Sequence, residues 1–319
     1  MPNIGVKDLD VFVLAHIAHE CRISVDHVED VYACTPFQAG LLTDSAVYIQ
    51  RFTHEFDPSV DLDRYVAALS HVISLNEMLR TRIVDCDLGL VQVVLKNGQS
   101  PSDPVQRAPG PDIDEYLQHD RAIPMGLATP LSRFAIVGRT LVITIHHAIS
   151  DVYTLTALLS DTQSVYEGRA PCPHAPFKRF VEYCGTIDER AAAAFWKAQF
   201  KGGVPAIFPA ISCKYAAKAS RDMVRHIALK KMGSAALMPA YIETAWSLAA
   251  ADYTGSDVVA FGYVMSGRSA VPSDLGTTLG PTITTVPMQV RLYYKQPPLL
   301  LLLLLLLLVH PMFRRKRNG

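Results

Sequence analysis

The chain has 319 residues, enough for two compact lobes or one large domain with a real core. Its 30 Lys and Arg balance 30 Asp and Glu, which excludes the strongly basic field of a nucleic-acid binder and the acidic tail of a basic-partner recruiter. Six scattered cysteines form no C-x-x-C pair, and residues 1–20 lack the basic start and unbroken apolar run of a signal peptide, so a reducing, cytoplasmic setting is the default.

In chain order, Val11, Leu14, Ala15 and Ala18 recur at helical spacing within residues 9–20. A longer stripe, Leu62, Tyr65, Val66, Leu69, Val72, Ile73 and Leu75, predicts a helix over 61–79 capped by Asp61 or Asp63. Residues 81–85 and 90–95 read as strands paired across a turn at Asp87-Leu88-Gly89. Residues 131–137 and 141–147 read as a hairpin turning at Gly138-Arg139, followed by a helix over about 151–166. One glycine and three prolines in 168–176 give that stretch the composition of a linker. Helices over 188–200 and 240–252 and strands over 258–265 and 282–292 complete the order, which predicts two α/β lobes joined near residue 175.

Residues 299–308 are pure leucine and precede the basic run Arg314-Arg315-Lys316-Arg317. A membrane helix needs ~20 apolar residues, about twice this run, so no membrane partner is expected. Residues 293–319 read instead as a tail foreign to the rest, disordered or produced by a misread intron or a shifted frame.

The strand over 141–147 ends in two histidines. Side chains alternate along a strand, so His147 shares a face with Leu141, Ile143 and Ile145, while His146 lies with Val142 and Thr144. Imidazoles that point apart cannot grip one metal ion, and no metal is expected. Ala148-Ile149-Ser150 turns the chain, and Asp151 opens the next helix. Taken alone, the pattern supports two readings equally: a reactive imidazole, or a satisfied core histidine at a strand end with Asp151 as an N-cap.

His146-His147-Ala148-Ile149-Ser150-Asp151 resembles the HHxxxD signature of the condensation domains of nonribosomal peptide synthetases, set as there between a strand and a helix. Ala33-Cys34-Thr35-Pro36-Phe37-Gln38-Ala39-Gly40-Leu41-Leu42 is similar to the fungal form of that family's opening motif. Glu77-Met78-Leu79-Arg80-Thr81-Arg82 is similar to its second motif, with Leu75-Asn76 in place of the usual Arg-His. Phe195-Trp196-Lys197, Ser266-Gly267-Arg268 and Gly280-Pro281-Thr282-Ile283-Thr284-Thr285-Val286-Pro287 follow in family order. The resemblance runs over 31–292. It leaves 1–30 as a leader, of which 9–30 look like the linker that follows a carrier domain.

The resemblance implies an α/β fold of two chloramphenicol-acetyltransferase-like lobes, each of mixed sheet plus helices. They would span 31–175 and 176–292, the second incomplete because the family continues further. It also implies amide-bond formation between thioesters carried on the phosphopantetheine arms of carrier domains, with no cofactor bound directly. His147 would be the general base, or a hydrogen-bonding partner for the attacking amine. His146 would support the strand, and Asp151 would pair with Arg268 of the second lobe as a structural clamp. Ser150, Val152, Thr284 and Thr285 would line a tunnel between the lobes. Val152 replaces a family glycine and narrows that space. This departure and the incomplete lobe raise the alternative of an inactive, truncated remnant that at most docks carriers. A stand-alone acyltransferase using coenzyme A is disfavoured by the style of the opening motif and by the leader.

Overall fold

A computed structural model of the chain describes residues 9–43, 45–98, 104–108, 112–201, 205–206, 208, 224 and 237–293. The leucine run and the basic run lie outside the described residues, as does Cys213. The chain divides into two compact units, and they interleave in sequence. One takes the described residues up to Ile187 together with Ser266–Thr284, and the other takes those of Asp188–Met265 and from Thr285 onward.

The first unit holds two sheets. Strands β1 (Val28–Ala33), β3 (Thr81–Cys86) and β4 (Gly89–Leu95) form an antiparallel sheet in the order β1-β4-β3. Helix α1 (Val11–Glu20), capped by the Asp10 carboxylate, buries Ile17 and Ala18. Ile17 and Cys21 join Val31, Val84, Val91 and Val93 in a small core, so the stretch that reads as a leader contains a packed helix.

The second sheet has the order β2-β7-β6-β5, built from β2 (Ile49–Glu55), β5 (Val105–Ala108), β6 (Ser132–Val137) and β7 (Thr140–His146). Its pairs are antiparallel except β5 with β6. The β6–β7 hairpin turns at Gly138-Arg139, where Gly138 takes the left-handed φ of 58° that a tight two-residue turn requires. Strand β7 is central, and every residue from Leu141 to His146 is buried. Leu141, Ile143 and Ile145 join the main core with Leu69, Val72 and Ile73 of α3 (Leu62–Leu75) and Leu155 and Leu158 of α5 (Val152–Tyr166).

Helix α3 ends at Leu75, four residues short of the prediction. The Asn76 carboxamide accepts from Met78 N–H, which breaks the helical ladder and restarts the chain as a tight 3₁₀ turn over Glu77–Arg80. From the sequence, no strand is expected at β1, β2 or β5 and no helix at α2 (Pro36–Leu41), α4 (Ile113–Ala122) or α6 (Phe177–Gly185).

The second unit contains α7 (Glu189–Gln199), α8 (Met238–Thr254) and most of β8 (Val258–Ser266) and β9 (Ile283–Arg291), which pair as a two-stranded sheet. Helix α8 stops at Gly255, whose φ of 65° gives the usual left-handed C-terminal cap. Ala250 and Ala251 of α8 pack with Val259, Val290 and Leu292. Among the described residues, no helix is long and apolar enough to cross a membrane.

Candidate active site

The central strand delivers both histidines to one end of the four-stranded sheet. The His146 N–H donates to Leu131 O and the His147 N–H to Tyr48 O, each at 2.9 Å, so successive amides face opposite neighbours as in a continuing strand. A turn then closes through Ile149 N–H to His146 O at 3.1 Å.

The two side chains are held differently. His146 is fully buried, and its Nδ1 accepts the Ala148 backbone N–H at 3.0 Å. Because that nitrogen accepts, the proton of the neutral ring sits on Nε2. His147 is half-buried, with its Nδ1 2.5 Å from the Ser150 carbonyl oxygen. A carbonyl can only accept, so His147 Nδ1 carries the proton and Nε2 of the neutral ring keeps its lone pair. The Phe37 ring stands edge-on to the His147 ring, with centroids 6.4 Å apart and planes at 89°. His146 Nδ1 is thereby committed to the backbone, and His147 is a fixed ring whose Nε2 can accept a hydrogen bond.

Asp151 anchors the next helix. Its Oδ1 accepts from Thr154 N–H and Thr154 Oγ1, both at 2.9 Å, which makes it the N-cap of α5. Arg268 grips the same carboxylate with both ends of its guanidinium, Nη1 to Oδ2 at 2.5 Å and Nη2 to Oδ1 at 3.2 Å. Arg268 Nη2 also donates to Thr278 O and Gly280 O, and the Tyr153 ring lies 4.2 Å beneath the guanidinium carbon. The Asp151 side chain is buried at 1% exposure and the Arg268 side chain nearly so at 10%. The resemblance would place Arg268 in a second lobe. Here the segment that carries it, Ser266–Thr284, belongs to the same compact unit as Asp151.

The other predicted site residues fall in three environments. Ser150 is fully buried, and it meets His147 through its carbonyl while its hydroxyl donates to His146 O at 3.3 Å. Val152 is 80% exposed at the first position of α5. Thr284 and Thr285 are exposed on β9. His146, His147, Ser150, Asp151 and Arg268 are therefore brought together, while the two strand threonines stand on a different element.

Sequence reasoning gave no role to Thr154, Phe37 or Gln38. Thr154 Oγ1 accepts from Gly280 N–H at 2.9 Å and so ties α5 to the Arg268 segment. Gly280 itself has a φ of 123°, and a Cβ there would overlap the Phe177 ring. The signal for Gln38 was present as a capping box: Thr35, with Pro36 at the first helical position and Gln38 three residues after the cap. Among the described residues, no group of three or more His, Cys, Asp or Glu could hold a metal ion.

A family model described as Condensation domain matches residues 28–297. The nonribosomal peptide synthetase valB of Aspergillus terreus is 52% identical over 251 residues, which are 79% of this chain and 9% of that protein. The nonribosomal peptide synthetase ungA of Aspergillus violaceofuscus is 35% identical over 301 residues, 90% of this chain and 3% of that one. The chain thus spans less than a tenth of the length of either relative. Among solved structures, the starter condensation domain of the rhizomide synthetase RzmA is similar in fold, with a TM-score of 0.69 at 19% identity, over 91% of this chain and 74% of that one. The condensation domain from the Monacolin K polyketide synthase MokA gives a TM-score of 0.62 at 17% identity, over 84% and 69%. With its paired histidines, its aspartate N-cap and a family match over most of its length, the chain belongs to the condensation-domain family.

Proposed function

We propose that the chain carries the amide-forming centre of a nonribosomal peptide synthetase. An acceptor aminoacyl thioester and a donor acyl or peptidyl thioester would arrive on the phosphopantetheine arms of two carrier domains. The acceptor amine attacks the donor carbonyl, a C–N bond forms, the C–S bond breaks, and the donor arm leaves as a thiol. The proton lost by the amine nitrogen is the one the leaving sulfur gains. His147 Nε2 takes that proton or orients the amine through a hydrogen bond, and either role needs a lone pair on that nitrogen.

The observation that carries this reading is the 2.5 Å contact of His147 Nδ1 with the Ser150 carbonyl, which leaves Nε2 as the acceptor. Asp151 and Arg268 hold the start of α5 and are assigned no part in the proton transfer. Val152, at the position where the resemblance has glycine, favours one second reading, a domain that binds carriers without joining their substrates.

Donor and acceptor carriers loaded in advance and mixed with the chain separate the two. Mass analysis of the acceptor arm should show the condensed product, and His147→Ala should remove it. A folded wild-type chain that forms no product defeats the proposal, and carrier binding without product would establish the second reading.

A further inference from the structure

The His147 ring is only as fixed as the turn that follows it, and one side chain from a distant part of the sequence holds that turn. Gln38 of α2 is fully buried. Its Nε2 donates to Ala148 O at 2.9 Å and to Gln92 Oε1 at 2.9 Å. Its Oε1 accepts from Thr35 N–H at 2.9 Å and from Thr35 Oγ1 at 3.2 Å. Two of these partners allow no alternative: Thr35 N–H can only donate and Ala148 C=O can only accept. The carboxamide orientation is therefore fixed, and all four of its hydrogen-bonding sites are used.

Ala148 is the first of the two residues between His147 and Ser150, whose carbonyl sets the His147 tautomer. Its N–H is taken by His146 Nδ1, and its C=O by Gln38. With both of its backbone groups tied, the peptide planes on either side of Ala148 cannot rotate without breaking a buried hydrogen bond. Phe37, next to Gln38 on α2, sets its ring against the imidazole. Helix α2 thus touches the reactive ring through one residue and its supporting turn through the next.

We propose that Gln38 is a positioning residue for His147. By holding the Ala148 carbonyl it keeps the Ser150 carbonyl on His147 Nδ1, and so keeps the lone pair on Nε2. The role rests on the amide-forming reading of His147, but its first test does not need the reaction.

Nitrogen NMR of histidine-labelled chain reports the tautomer of His147, assigned by the signal lost in His147→Gln. The wild type should show a protonated Nδ1 and a bare Nε2. Gln38→Met removes every hydrogen bond of the carboxamide, and the nearly isosteric Gln38→Glu sets a carboxyl oxygen against the Ala148 carbonyl. Both should move His147 toward a mixture of tautomers. In the carrier assay both should lower kcat by on the order of 10- to 100-fold with KM for the loaded carriers unchanged, the signature of misplacement. A folded Gln38 variant that keeps the wild-type His147 tautomer overturns the proposal. If the wild type itself makes no product, the reaction assignment fails and the tautomer still decides the role of Gln38. Should neither variant fold, the wild-type Gln38 side-chain amide protons give the answer: slow exchange with solvent supports the clamp, and fast exchange refutes it.

Discussion

Strands β7, of seven residues, and β8, of nine, are both mostly apolar, but they are used in opposite ways. Strand β7 is central in its sheet and buried on both faces from Leu141 to His146. Strand β8 sits in a two-stranded sheet, buried only at Val258 and Val259 and alternating between half-buried and exposed from Phe261 onward. A strand with both faces covered has no register freedom and little room to breathe. His147, the proposed reactive group, follows the end of the strand of that kind, and under that proposal a misplacement of ~1 Å would cost ~10²-fold in rate. Burial on both faces is concentrated in the strand that ends at the paired histidines, and the described two-stranded sheet is covered far less.

The largest loss of stability is expected at the ion pair of Asp151 with Arg268. Arg268→Ala should leave the Asp151 carboxylate charged and buried without its partner, at a cost of ~3–5 kcal/mol. Replacing both, Asp151→Asn with Arg268→Met, should recover much of that loss. Urea melts of the single and double variants check this, and a single variant as stable as wild type would contradict it.

Leu158→Ala, in the fully buried core beneath β7, should cost ~2–5 kcal/mol by loss of transfer energy and creation of a cavity. Val264→Ala, 62% exposed on β8, should shift the same melt by no more than ~0.5 kcal/mol. Equal costs at the two sites would erase the contrast between the strands.

Acid sharpens the contrast further. Burial pushes the Asp120 carboxyl up, but hydrogen bonds from Arg133, Arg51 and Thr144 outweigh it and hold the pKa below the ordinary 3.8. A depressed folded pKa contributes stability that is present above ~pH 4 and lost as pH falls through the folded value. These partners lie on β2, β6 and β7, so the acid loss belongs to the four-stranded sheet. Asp120→Asn should lower stability at neutral pH and flatten the acid limb. An acid limb as steep as wild type would show that Asp120 is not its source.

Much of this was legible in the sequence, for physical reasons that differ by element. The run Leu141–Ile145 and the turn Gly138-Arg139 announced the hairpin, and Asp151 announced the helix that follows. Strand β2 was not legible because it is an edge: Arg51, Thr53, His54 and Glu55 give it the polar surface that edge strands carry, with no apolar alternation to read. Helix α2 is only six residues long, too short for a helical period, and its one signal was the capping box. The pairing of His146 and His147 with opposite tautomers was beyond pattern reading, since it depends on which backbone groups the turn presents. That the Arg268 segment belongs to the unit of Asp151 was likewise invisible, because the two are 117 residues apart in sequence.

The proposed division of labour between the two histidines is tested by one paired measurement: single-turnover amide formation from loaded carriers, per folded molecule, for His147→Ala and His146→Ala, each with its melt. The account predicts that His147→Ala stays near wild-type stability and loses ~10²–10⁴-fold in rate, while His146→Ala mainly loses stability. A His147→Ala chain that keeps its rate, with His146→Ala folded and inactive, would contradict it.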